Sequence, residues 1–180
     1  MGRGTAGTTG KRFVFYFAAA IVCLGMSGCF RRHNLRVDGY DCRSLEKSRI
    51  YDFRRPENVR VEEFLRYDTG KQYAAFICGC EFTYNWASEI EYAFARKGGK
   101  VIDIVKARLG EARDDLRIYN LVSLLSLMQM FKSYDVAGDD ELMRLAEVRV
   151  QGIRGPGWKE DAESSLRDIR HRREARGLPK

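Results

Sequence analysis

The sequence predicts an all-α domain, and three observations carry that expectation. Apolar residues recur at helical spacing in one stretch after another from about residue 56 onward. Helix-start signatures open those stretches: Pro56 before Glu57, Thr69 three before Gln72, Ser88 three before Glu91, and the acid pairs Asp114-Asp115 and Asp139-Asp140. No stretch shows convincing strand alternation. The expected architecture is a helical bundle or a short α-solenoid of about six to seven helices, occupying residues 56–180.

Residues 29–55 read as a tether and loose entry. Arg31, Arg32, Arg36, Arg43, Lys47 and Arg49 stud this stretch, and Asp38-Gly39 marks a turn. The first helical pattern starts at Pro56-Glu57-Asn58, places Val61, Phe64 and Leu65 on one face, and breaks at Asp68-Thr69-Gly70. Thr69 and Gln72 fit a capping box that opens the next helix, with Tyr73, Phe76, Ile77, Cys80 and Tyr84 as its stripe. Asn85-Trp86-Ala87 interrupts. Ser88 and Glu91 form a second capping box, Ile90, Ala93 and Phe94 give that helix its buried side, and Gly98-Gly99 ends it. Val101, Ile102, Val105 and Leu109 make another amphipathic helix, stopped near Gly110.

Asp114-Asp115 caps the most apolar segment, Leu116 to Phe131. It is apolar nearly all round, so other helices must surround it. Arg117, Asn120 and Gln129 interrupt it, which favours a buried helix over a membrane span. Gly138-Asp139-Asp140-Glu141 opens the next helix, with Leu142, Leu145, Ala146 and Val150 inward. The acids Asp135, Asp139, Asp140 and Glu141 lack the alternate spacing and the Gly of a calcium loop. Gly155-Pro156-Gly157 turns the chain, and Trp158, Ala162, Leu166 and Ile169 form the last stripe. The basic run Arg170-His171-Arg172-Arg173 suits the negative end of a helix dipole.

Sliding the chain by 41 residues superimposes two helix pairs. Val101, Ile102, Ile104, Val105 and Leu109 fall on Leu142, Met143, Leu145, Ala146 and Val150. Leu121, Leu125 and Met128 fall on Ala162, Leu166 and Ile169. A helix–turn–helix period of ~40 residues resembles HEAT-like repeats. That resemblance implies an α-solenoid, with Val61 to Trp86 as a degenerate earlier unit.

The N-terminal block is of another kind. Arg3, Lys11 and Arg12 precede an apolar run from Phe13 to Leu24, and Leu24-Gly25-Met26-Ser27-Gly28-Cys29 closes it. A basic start, a short apolar core and small residues at its end read as a secretory signal. The run is short of the ~20 apolar residues a spanning helix needs. A large apolar residue and two small ones directly before a Cys resemble the lipobox of bacterial lipoproteins. The resemblance covers residues 1–29, and Met26 stands where Leu is usual. It implies a signal peptide over residues 1–28 and lipidation of Cys29. It also implies attachment to the membrane through that lipid. Phe30 is not the Asp that resembles an inner-membrane retention signal, which implies the outer membrane, facing the periplasm. The glycine-rich start is no phosphate loop, because Thr5 and Arg12 stand where Gly and Ser or Thr are needed.

Export places the remaining cysteines, Cys42, Cys78 and Cys80, in an oxidising compartment. One disulfide from Cys42 to either Cys78 or Cys80 is expected, stapling the tether side to the first long helix. Cys80 lies on the apolar stripe and Cys78 is rotated about 200° from it, so Cys80 is expected to face the core. Cys78 is then the thiol that pairs outside or stays free. With only His33 and His171 and no second cysteine pair, neither a metal site nor a cofactor is expected.

The whole chain carries a net charge of +7, of which Arg3, Lys11 and Arg12 supply 3, leaving a modest excess of about 4 from residue 29 on. Such an excess, on an exported chain, argues against nucleic acid. His33 in the tether and His171 in the tail are poorly placed for acid–base work. Glu89 and Glu91, near Trp86 and Tyr92, imitate a carboxylate pair acting on cell-wall glycan, but residues two apart on a helix point to different sides. No catalytic residue set emerges. The expected role is a non-catalytic, membrane-anchored module that binds another envelope protein.

Overall fold

A computed structural model describes residues 36–82 and 88–174. The expectations for residues 1–28, Cys29, Arg31, Arg32, His33 and Tyr84 to Ala87 lie outside those residues.

The described chain begins with a two-residue hairpin, β1 (Arg36–Val37) and β2 (Tyr40–Asp41), paired antiparallel. Asp38 and Gly39 both have positive φ, 52° and 84°, the backbone a tight Asp-Gly hairpin turn requires. Asp41 then caps α1 (Cys42–Glu46), its carboxylate accepting from the backbone N–H groups of Arg43 and Ser44. A 3₁₀ turn follows at Arg49–Tyr51. Val37, Cys42, Leu45, Ile50 and Tyr51 are all buried, and they belong to the same core as the later helices. The expected loose entry over residues 29–55 is therefore corrected for its described part. Five apolar residues and a disulfide hold residues 36–55 in the domain.

Helices α2 (Glu57–Leu65) and α3 (Thr69–Phe82) follow. Phe64 is buried, but Leu65 is 48% exposed and does not share its face. The carboxylate of Asp68, not Thr69, caps α3, accepting from Lys71 N at 2.9 Å. Gln72 reaches backward instead of closing a capping box. It is fully buried, and its Nε2 donates to the carbonyls of Phe64, Leu65 and Tyr67 at 2.9–3.3 Å. It thereby supplies a donor to the Leu65 and Tyr67 carbonyls at the exit of α2 and a second one to Phe64 O, which also accepts from the Tyr67 backbone N–H.

Helix α4 (Ser88–Ala95) ends before a second 3₁₀ turn at Gly98–Lys100. Gly98 sits at φ 48°, with the Ser133 carbonyl oxygen only 1.9 Å from where a Cβ would be, so no other residue fits this crossing. Helices α5 (Ile102–Glu111), α6 (Asp115–Phe131), α7 (Asp140–Gln151) and α8 (Pro156–Glu174) complete the chain, with a 3₁₀ turn at Val136–Gly138. Asp114 caps α6 and Asp139 caps α7, as their sequence positions predict.

The fold is all-α, with eight α-helices among the described residues and the small hairpin beside them. The short α1 is the helix the periodicity did not announce. Helix α6 is central. It packs against α3, α4, α5, α7 and most extensively α8, and Leu121, Val122, Leu124, Leu125 and Met128 are fully buried along it. That is why no polar side is visible in its sequence. Among the described residues no helix is long and apolar enough to cross a membrane.

The two helix pairs related by the 41-residue shift stack like on like, α5 against α7 and α6 against α8. Their superimposed positions share burial: Val105 with Ala146, Leu109 with Val150, Leu125 with Leu166 and Met128 with Ile169. Polar contacts lock the stack. Lys106 pairs with Asp139 at 2.6 Å, Arg149 donates to the Gly110 carbonyl, and Asp115 Oδ2 accepts from the backbone N–H groups of Arg154 and Gly155.

Candidate functional site

The cysteines come first, because the sequence singled them out. Cys42 and Cys78 are joined, with Cα atoms 5.3 Å apart and 36 residues between them along the chain. The pairing falls within the expected alternatives, but the assigned faces are reversed. Cys78 is 2% exposed and inside the core, while Cys80 is the partly buried free thiol. The reason is that α1 and the 3₁₀ turn pack on the side of α3 the stripe left polar, burying Cys78, Ala74 and Ala75 between helices. Burial pushes the Cys80 thiol well above its ordinary pKa, and the carboxylates of Glu91 and Glu81 add to the shift. A thiol so placed is a poor nucleophile.

The two glutamates do not converge. Glu89 Oε1 lies 2.6 Å from Arg60 Nη1 of α2 in a pair that is about nine-tenths buried on both sides. Arg60 also stacks its guanidinium over Phe53, 4.6 Å from the ring centroid. Glu91 is buried in α4 and faces α6 and α8. His171 is exposed on α8. Two of the neighbouring arginines have structural partners, Arg170 with Glu147 and Arg173 with the Ala137 carbonyl. Among the described residues no group of three or more His, Cys, Asp or Glu side chains gathers as a metal site would.

Two concavities are lined by described residues alone. The larger, about 490 Å³, lies between α5 and α7. Ala107, Gly110, Leu142, Leu145 and Val148 form its floor, and Lys106, Glu141 and Arg144 stand around it. Val148 is 58% exposed there. Lys106 also fixes Asp139, whose carboxyl lies below the ordinary range. Burial alone would raise it, but hydrogen bonds from Lys106, Tyr134 and the Leu142 backbone outweigh that effect. The smaller concavity, about 250 Å³, lies between α4, α6 and α8. It presents Glu91, Tyr92, Tyr119 and three serine hydroxyls, Ser123, Ser126 and Ser165. Tyr119 leans on Trp158 with ring centroids 5.2 Å apart, and Tyr92 meets Phe131 edge-on at 5.6 Å.

No family model, curated protein or solved structure matches this chain.

Chemically, both concavities offer contact surface. Of the serines of the smaller one, Ser123 and Ser126 lie about one turn apart on α6 and Ser165 lies on α8, and no imidazole is among the lining residues; the described histidine, His171, lies on the exposed side of α8. The α5–α7 groove has the mixed composition of a docking surface: an apolar floor with charged residues around it. Sequence reasoning missed this groove. Its floor joins Leu142 and Leu145 of the inward stripe of α7 to Ala107, Gly110 and Val148, which lie on no stripe, and they become one surface only when α5 and α7 stack.

Proposed function

We propose that the protein is a lipid-anchored envelope lipoprotein whose helical domain binds a partner protein, without catalysis. The observation that carries the anchor is Gly28-Cys29 at the end of a short apolar run behind a basic start. The Cys42–Cys78 disulfide agrees with export, since such bonds persist in oxidising compartments. Phe30 after the lipidated Cys supports residence in the outer membrane, facing the periplasm. Support for docking comes from the stacked helix pairs and the groove between α5 and α7, because stacked helical repeats typically work through their surfaces. The separation of Glu89 from Glu91 weighs against glycan hydrolysis.

Two experiments test this reading. Cys29→Ala is expected to release the protein from membranes or to leave unprocessed precursor. Unchanged mature, membrane-bound protein refutes lipidation, and co-sedimentation with inner membrane on a density gradient refutes the outer-membrane assignment. For docking, affinity capture of the intact protein from envelopes is compared with capture by Val148→Glu. An envelope protein retained by the first and lost by the second is expected; equal capture by both removes the groove from the reading.

A further inference from the structure

The positive charge of this chain is not spread over the domain. Residues 56–180 hold 21 basic and 21 acidic residues and are neutral as a whole. Residues 29–55 hold eight basic and four acidic residues, so the entire excess beyond the N-terminal 28 residues lies in this one stretch. The fold then engages most of the four acids. Asp38 is paired with Arg108 of α5 at 2.9 Å, Asp41 is occupied as the cap of α1, and Asp52 is paired with Arg54 at 2.8 Å. Arg36, Arg43, Lys47 and Arg49 all remain exposed. Cys42, Leu45, Ile50 and Tyr51 point inward and the disulfide pins α1 to α3, so these cations ride on a fixed part of the domain surface. Phe53, 42% exposed beside Arg54, adds an aromatic ring to the same segment.

Chain length decides what this surface faces. On the reading that Cys29 carries the lipid, Arg36 is seven residues from the bilayer anchor, and fully extended backbone spans at most about 25 Å over that length. The hairpin and α1 are thus the part of the domain the anchor holds nearest the membrane, while Arg31 and Arg32 lie nearer still along the chain. We propose that the β1–β2 hairpin, α1 and the following 3₁₀ turn form a basic face that lies on the anionic phospholipid headgroups of the anchoring membrane. Each basic residue near such a surface contributes roughly a fivefold gain in partitioning, falling off within a Debye length. This contact fixes the orientation of the domain, so that its far helices face outward from the bilayer. The inference rests on the anchor for its geometry, but its test does not require the lipid.

The core residues named above and the disulfide all fall between Val37 and Ile169, and residues 34–180 form a compact unit of their own, so a chain of residues 29–180 bearing Cys29→Ser retains that unit without the lipid. Its co-sedimentation is measured with vesicles of pure phosphatidylcholine and with vesicles containing phosphatidylglycerol. Binding to the anionic vesicles alone, weakening as salt is raised, is expected. The triple variant Arg43→Glu, Lys47→Glu, Arg49→Glu is expected to lose binding by about tenfold or more. A control with the same charge change, Arg144→Glu, Arg167→Glu, Arg172→Glu, is expected to retain most of it. Equal binding to neutral vesicles, no binding to anionic ones, or equal loss in the two triple variants overturns the proposal. Should the first triple variant fail to fold, the salt dependence and the vesicle comparison of the parent still decide. Loss of palmitate labelling in the full-length chain would refute the anchor by itself, leaving the vesicle result to stand or fall separately.

Discussion

Gln72 shows how much one side chain holds at the residue scale. Its amide collects three carbonyls at the end of α2 and accepts from Lys97 Nζ at 2.5 Å. Gln72→Leu removes the side-chain donor to the Leu65 and Tyr67 carbonyls and the acceptor of Lys97 Nζ, while Phe64 O keeps the Tyr67 backbone N–H, and a loss of about 1–3 kcal/mol is expected in urea unfolding. Asn120 is the opposite case. It is 1% exposed inside the core, and among the described residues neither atom of its amide has a hydrogen-bond partner. Asn120→Leu is therefore expected to leave stability unchanged or raise it by about 1–2 kcal/mol in the same assay. Asp139 makes stability depend on pH. Its folded pKa is depressed, so its contribution is present above the unfolded value of about 3.9 and is lost as pH falls through the lower folded value. Parent and Asp139→Asn should differ most above the unfolded carboxylate range and approach each other as pH falls through the lower folded value, as followed by urea titrations at descending pH.

Between elements, the decisive contacts are those the linear pattern hides. Arg117 forks onto Glu81 of α3 at 3.0 and 3.1 Å, and the Glu81 side chain is fully buried. The sequence showed Arg117 as an interruption of an apolar helix; the structure shows it as the polar tie from α6 to α3. Removing it takes the paired guanidinium from a buried carboxylate, so Arg117→Ala is expected to cost about 3–5 kcal/mol, measurable as a lowered unfolding midpoint. The starts of α6 and α7 are legible from their caps, and the extents of α5 and α8 from their stripes, because each signal is local. Asp114 and Asp139 bond backbone groups three residues on. The sequence offers Thr69 as the cap of α3, but Asp68 takes that role one residue earlier, because a carboxylate accepts those N–H groups more strongly. The faces of Cys78 and Cys80 were exchanged for a different reason. Helix α3 is covered on more than one side, and periodicity assumes a single apolar stripe.

On the scale of the whole molecule, the disulfide closes the segment that follows the N-terminal block onto the first long helix. Closing a loop of this length contributes about 3–4 kcal/mol through the unfolded chain's lost freedom. The double change Cys42→Ser, Cys78→Ser should lower stability by about that amount, and reductant should do the same to the parent but not to the variant.

The sequence by itself determined the all-α class, the order and ends of the later helices, the centrality of α6 and the 41-residue correspondence of two helix pairs. Each of these follows from local spacing or from apolar content that admits one environment. The tertiary structure alone decided which cysteine pairs with Cys42, that residues 36–55 belong to the core, and that Gln72 and Arg117 serve neighbouring helices. It also decided that residues of α5 and α7 make one groove. These depend on which elements meet, and a helix pattern records which of its faces is apolar without recording what covers it.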